Sequence, residues 1–151
     1  MVSDDGAIVF ITFLLAMAGY VGLTACALFS VRRKMPRRFW RAVVVVIVAH
    51  VLMVWAVRYH WSFALAVRNG YGGFLLFHGA LFAILASTMV RDRVARILIR
   101  LAFFVVSAGA IGATFRYGVV AFYRIPVLVL AASGAVGLLR AWLRPEKAPV
   151  A

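Results

Sequence analysis

Five apolar runs, each bounded by charged residues, constrain the fold of this chain more than any other feature. They cover residues 7–30, 42–57, 73–90, 97–115 and 125–143. A helix needs about 20 apolar residues to cross the hydrocarbon core of a bilayer, and a spanning segment must satisfy its own backbone hydrogen bonds. We therefore predict an all-α fold: a polytopic membrane bundle of five transmembrane helices that forms one domain over residues 1–151.

Composition supports the bilayer as the solvent. Hydrophobic residues make up 66% of the chain, against about 45–50% in soluble domains. The 17 Lys and Arg and 4 Asp and Glu give a net charge of +13, which in a soluble protein would favour nucleic acid. Here the charges lie between apolar runs, as in membrane proteins whose loops face anionic lipid. We expect membrane lipids as partners and no nucleic acid.

The positions of the basic residues predict the orientation. Only Arg58, Arg68, Arg116 and Arg124 follow the second and fourth runs; the remaining thirteen lie near or after the ends of the first, third and fifth. These thirteen are Arg32, Arg33, Lys34, Arg37, Arg38, Arg41, Arg91, Arg93, Arg96, Arg100, Arg140, Arg144 and Lys147. Basic loops stay in the cytoplasm, so we expect the N-terminus outside and the C-terminus inside, in a bacterial cytoplasmic (inner) membrane. The acidic Asp4 and Asp5 before the first run argue against a signal peptide.

Small residues four apart predict where helices approach closely, since lipid provides no hydrophobic force between them. Such pairs occur in four of the five runs. They include Gly22 and Cys26, Gly79 and Ala83, Ala108 and Gly112, and Ser133 and Gly137. A second pair, Gly109 and Ala113, gives the fourth helix two small faces. We therefore expect the fourth helix to lie centrally and to contact two neighbours.

Residues with catalytic potential are scarce in the apolar runs. All four acidic residues, Asp4, Asp5, Asp92 and Glu146, lie outside the hydrocarbon. Proton relays depend on carboxylates within the membrane, so a carboxylate-driven pump is not expected. The sequence contains no paired carboxylates, no zinc-spaced His and Cys cluster and no nucleotide-binding glycine loop. We predict no catalytic residue and favour a protein that is not an enzyme.

Two histidines within the runs are the candidate metal ligands. His50 lies near the centre of the second run and His78 lies about a turn and a half inside the third. Facing imidazoles at similar depth can hold b-type haem between helices. The competing interpretation is packing, with each histidine hydrogen-bonded to a backbone carbonyl or to a hydroxyl such as that of Ser107 or Thr114. We predict no cofactor and keep haem as the alternative.

The two outer connections mix arginine with aromatic residues. Residues 58–72 are too apolar for a solvated loop, and we predict an interfacial helix that Asn69 and Gly70 end. With the second connection, they could form a basic, aromatic-rimmed pocket for an anionic head group or a quinone-like ring. The candidate residues are Arg58, His60, Arg68, Arg116 and Arg124. The competing interpretation is an ordinary aromatic belt with arginines that reach the interface.

These features lead to two functional hypotheses. The first is a non-enzymatic membrane protein that acts as a subunit or scaffold, with other membrane subunits or further copies of itself, or that passes a small solute. The alternative is an electron-transfer protein with haem held between His50 and His78. An absorption spectrum distinguishes the two hypotheses, since haem absorbs visible light.

Overall fold

The computed structural model describes residues 4–31, 36–68, 70–116 and 118–143, with only the backbone of residues 4–7 and 119. Every secondary-structure element in these ranges is helical, which confirms the all-α bundle. The main helices are α1 (Asp4–Val31), α2 (Arg37–Val57), α4 (Tyr71–Ala86), α5 (Asp92–Arg116) and α6 (Arg124–Leu143). Shorter elements are α3 (Phe63–Ala66) and the 3₁₀ helix Gly118–Tyr123. The expected basic and turn residues Arg32, Arg33, Lys34, Asn69, Arg144 and Lys147 lie outside the described residues.

Four helical segments are long and apolar enough to cross a membrane: Ile8–Val31, Arg37–Val57, Asp92–Arg116 and Val120–Leu143. Helix α4 is apolar but shorter, with 16 residues, and at 1.5 Å per residue it extends for about 24 Å. It ends at Ala86, before the predicted limit at residue 90. The hydroxyls of Ser87 and Thr88 donate to the carbonyls of Ile84 and Leu85. Such local bonds from a side chain to the backbone compete with continuation of the helix.

The outward faces of the helices are apolar. Side chains such as Leu76, Phe82 and Ile125 are more than 60% exposed, which is the surface that lipid rather than water would cover. The protein is therefore an integral membrane protein by the length and composition of its helices.

Helices α1 and α5 form the centre of the bundle. Helix α5 packs against α1, α4 and α6, and α1 packs against α2, α5 and α6, which matches the predicted central place of the fourth apolar run. The core between them is filled by Leu23, Ile84, Ile99 and Phe103, all nearly inaccessible. By contrast, α2 and α4 touch each other only weakly, although they follow one another in the chain.

The small-residue prediction is confirmed in part. A methyl group on Gly22 would lie 2.6 Å from Val43 on α2, and one on Gly137 would overlap with Leu28 on α1, so both mark close helix contacts. The prediction is wrong for Gly79 and Gly112, where a methyl group would meet nothing within 4 Å. Spacing places small residues on one face, but it does not say which face meets a neighbour.

Polar contacts connect helices near each end of the bundle. We call the end where α2 and α5 begin the basic end; there Arg37 and Asp92 form an ion pair of 2.8 Å. Arg100 donates to the hydroxyl of Ser30 (2.9 Å) and to its carbonyl (3.0 Å), near the last turn of α1. A cation at this position offsets the partial negative charge of the helix C-terminus. We call the opposite end, where α1 and α4 begin, the aromatic end.

Candidate ligand cavity

A cavity of about 680 Å³ lies where α2 and α4 do not pack closely against each other. It is bordered by α1, α2, α4 and α5 and by the 3₁₀ helix at the aromatic end, and its walls are mostly apolar. Side chains with polar or aromatic chemistry on its lining include His50, Trp55, Phe77, His78, Arg116 and Tyr123. The structure thus brings both candidate histidines to one cavity.

Both ring nitrogens of His78 have partners. The indole N–H of Trp55 on α2 donates to Nε2 at 3.2 Å, so Nε2 is the acceptor. Nδ1 lies 2.8 Å from the carbonyl of Phe74, one turn earlier on α4, and a carbonyl can only accept. The neutral ring therefore carries its proton on Nδ1. The ring of Phe74 stacks on the imidazole at a centroid distance of 3.9 Å, so the orientation of His78 is fixed from three sides.

His50 is held from one side only. Its Nδ1 lies 3.0 Å from the carbonyl of Thr12 on α1, so this nitrogen is the donor. In the neutral ring Nε2 is then an acceptor. Within the described part of the chain, Nε2 has no protein donor. His50 is one of the residues that line the cavity.

This geometry bears on the haem hypothesis. Bis-histidine ligation needs a free lone pair on each imidazole, and that of His78 already accepts the Trp55 indole. Ligation of iron by His78 would require this hydrogen bond to break. Among the described side chains, no group of three or more His, Cys, Asp and Glu is placed to hold a metal ion. The hydrogen bond from His50 to a carbonyl across a helix interface matches the packing alternative.

The chain after α2 folds an aromatic cluster around Trp55. His60 and Trp61 both have positive φ, 46° and 58°, a conformation that costs about 1–2 kcal/mol per residue. This turn brings the Trp61 ring into a stacked position 6.3 Å from that of Trp55, with the Trp61 amide donating to the Trp55 carbonyl. The Tyr59 ring meets Trp55 edge-on. The cluster thus supports the indole that binds His78.

The expected interfacial helix in this connection is short. Between α2 and α4, the α-helix found among the described residues is Phe63–Ala66. Gly70, with a φ of 104°, precedes α4 in a conformation that glycine adopts readily.

The cavity lining includes one of the five residues of the predicted basic pocket. Arg116 lines the cavity. Arg58, His60 and Arg68 are exposed and are not part of its lining. Arg124 is directed to α5, where it donates to the carbonyl of Thr114 at 2.9 Å and lies 5.1 Å from the ring centre of Phe115. A head-group pocket that uses all five stays a prediction.

Comparison with known proteins gives no relative. No family model matches the sequence, and neither a curated protein nor a solved structure is significantly similar to it. The function must therefore be argued from the site alone.

Sequence reasoning missed the role of Trp55. It identified both histidines, but it did not single out Trp55, and it interpreted the aromatic residues of the outer connections as a pocket rim or an interfacial belt. A spacing of four joins Trp55 to Tyr59 and Phe74 to His78, and such pairs share a helix face. That signal was visible, although it does not say that the two faces meet.

Proposed function

We propose that this chain is a non-enzymatic protein of the bacterial cytoplasmic membrane that binds a lipid-soluble ring compound, of the quinone or quinol class, in the cavity between α2 and α4. It serves as a membrane subunit that holds or passes this ligand among lipids, other subunits or further copies of the chain. The observation that carries the proposal is the apolar cavity of about 680 Å³ with His50 on its lining, since the only hydrogen bond of this imidazole within the described part of the chain is made by Nδ1.

Size and chemistry support a ring ligand. The volume falls within the range of about 300–1,000 Å³ typical of small-molecule sites, which combine apolar walls with a few polar groups. Trp55 and Phe77 offer faces and edges for stacking. Nε2 of His50 can accept from a ring hydroxyl.

An anionic head group is less well served by this cavity. Of the predicted basic residues, Arg116 alone lines it, and Arg124 is already engaged with Thr114. A charged phosphate buried against mostly apolar walls would lose more hydration than the protein groups there replace, whereas a ring packs directly against these walls.

The cavity predicts a difference between two glycine variants. Gly112 lines the cavity and Gly79 does not, while a methyl group on either meets nothing within 4 Å. Both are exposed residues inside helices, so Gly112→Leu and Gly79→Leu are expected to fold and to gain helix propensity equally. We expect Gly112→Leu to raise the Kd for the ring about 10-fold or more, since overpacking costs about 1–3 kcal/mol.

The measurement is quenching of tryptophan fluorescence by a short-chain ubiquinone or by menadione in detergent micelles, because Trp55 lines the cavity. Gly79→Leu controls for partition of the quinone into the micelle. A second comparison uses a hydroquinone and its dimethyl ether; the ether cannot donate to His50 and is expected to bind several-fold more weakly. Equal affinities in wild type, Gly112→Leu and Gly79→Leu would exclude the cavity as the binding site.

The proposed orientation places the aromatic end outside and the basic end in the cytoplasm. Cys26 is the only cysteine, so Cys26→Ala gives a background for labelling. His60 and Thr88 are exposed at opposite ends of the bundle. In intact cells, we expect a membrane-impermeant maleimide to label His60→Cys and to label Thr88→Cys only after permeabilisation. The reverse pattern would overturn the orientation and leave the cavity proposal in place.

A further inference from the structure

The basic end contains a second concave site, separate from the ligand cavity. It is a pocket of about 380 Å³ between the start of α2, the end of α4 and the start of α5. Four arginines line it, Arg37 and Arg41 from α2 and Arg91 and Arg96 from the region where α5 begins. The helices α2 and α5 thus bring together basic residues that lie some fifty positions apart in the sequence.

The floor of this pocket is fixed. Trp40 is 2% exposed, and its indole N–H donates to the hydroxyl of Ser87 at 3.1 Å. That hydroxyl donates in turn to the carbonyl of Ile84 at 2.6 Å. Trp40, Ser87 and Ala95 are all buried and all line the pocket. The arginines therefore project from a rigid base that joins α2, α4 and α5.

Among the described residues, the positive charge of the lining is only partly balanced by an acidic group. Four arginines and one carboxylate, that of Asp92, give a net charge of +3. Asp92 pairs with Arg37, while Arg41 and Arg91 have neither an ion pair nor a hydrogen bond in the described ranges. The pocket also lies at the start of α5, where the helix dipole favours an anion. Positive charge gathered in this way is stabilised when an anion binds.

We propose that this pocket binds a phosphate group, and that its source is the head group of an anionic phospholipid. Guanidinium groups match phosphate oxygens with paired hydrogen bonds, and basic pockets between membrane helices bind lipid head groups. The position supports a lipid source, because the pocket lies at the helix ends, where head groups lie. Met89 and Val90, which are 88% and 38% exposed, line the same pocket and offer apolar surface to the start of an acyl chain.

The test compares two double variants with the same charge. Arg41→Gln with Arg96→Gln removes two lining arginines, whereas Arg38→Gln with Arg93→Gln removes two arginines from the same helix starts outside the lining. Arg37 is kept so that its ion pair with Asp92 remains. Binding of phosphatidylglycerol to the delipidated full chain in mixed micelles is measured by native mass spectrometry, with phosphatidylcholine as the neutral reference. Thermal unfolding of each variant without lipid checks that it folds.

We expect the lining variant to bind phosphatidylglycerol about 10-fold or more weakly, because two guanidinium groups near the phosphate are lost. The control variant should change less than about 3-fold, since a phosphate in the pocket does not contact its arginines. Equal losses in the two variants would overturn the proposal, because the lipid would then respond to overall charge. Equal binding of phosphatidylcholine and phosphatidylglycerol would overturn it as well.

Asp92→Asn provides a readout with the opposite sign. It removes the acid that competes with the phosphate and frees Arg37, so we expect phosphatidylglycerol to bind about 5-fold more tightly although an ion pair is lost. Weaker binding in this variant would contradict a phosphate site. Inorganic phosphate in lipid-free detergent separates the sources: if it stabilises the protein and phosphatidylglycerol does not, the phosphate site stands and the lipid source is wrong. None of these results depends on the ring ligand at the other end.

Discussion

Gly134→Leu is expected to disrupt the packing of α6 on α5 and to lower the free energy of unfolding by about 3 kcal/mol or more. A methyl group on Gly134 would overlap with the ring of Phe103, which is completely buried at the centre of the bundle. That ring also stacks near Tyr20, whose hydroxyl hydrogen-bonds the hydroxyl of Ser107 at 2.8 Å. Phe103 has no space to move into, so the helices must separate.

Two other glycines serve as controls for this prediction. A methyl group on Gly109 would also overlap with a phenylalanine, Phe77, but that ring is 47% exposed and lines the cavity. It can rotate away, so Gly109→Leu is expected to cost much less, under about 1.5 kcal/mol. Gly79→Leu meets open space and should be neutral or slightly stabilising. Thermal unfolding in detergent measures all three, and an unchanged Tm for Gly134→Leu would contradict the α5–α6 packing.

The fold was largely predictable because a bilayer allows few solutions. Apolar runs bounded by charge must become helices in lipid, and all five runs lie mainly in helices. The central place of α5 was expected from its two small faces, although on one of them Gly112 meets no neighbour within 4 Å. The end of α4 was not predicted, because the hydroxyls of Ser87 and Thr88 are too weakly polar to interrupt a hydropathy pattern but strong enough to bond the preceding turn.

The sites were predictable only as residue types. His50 and His78 stood out because ionisable residues are rare in membrane spans. Their partners, the carbonyl of Thr12 and the indole of Trp55, come from other helices, and the rotation of each helix is not encoded in its spacing. For the same reason, the sequence predicted that most basic residues lie at the basic end, but it did not predict that four of these arginines line one pocket there.

The two ends of the bundle therefore differ in the chemistry that they offer. The aromatic end combines rings, one open imidazole nitrogen and Arg116 on an apolar cavity. The basic end combines an excess of guanidinium groups with a small, rigid floor. If the orientation is as proposed, anionic lipid in the cytoplasmic leaflet would anchor the basic end, while α2 and α4, which touch only weakly, would remain free to admit a ligand near the other leaflet.

The second prediction with a large expected effect concerns the absorption spectrum of the protein with haem. We expect the purified protein, loaded with haem b and reduced with dithionite, to show no Soret, α and β bands of bis-histidine iron. His78 donates from Nδ1 to Phe74 and accepts at Nε2 from Trp55, which leaves no lone pair for iron. The spectra of His50→Ala and His78→Ala are recorded alongside. Bands that are present in the wild type and lost in both variants would establish the haem and reject this geometry.

Trp55→Phe is the informative companion to that experiment. It keeps an aromatic ring beside His78 but removes the indole donor, so Nε2 becomes free while Nδ1 stays bound to Phe74. If haem bands appear in Trp55→Phe and not in the wild type, the hydrogen bond from Trp55 is what prevents His78 from binding iron. If neither protein shows them, the two imidazoles do not reach a common iron even when both lone pairs are free, and the cavity is left to a ligand that His50 can bind alone.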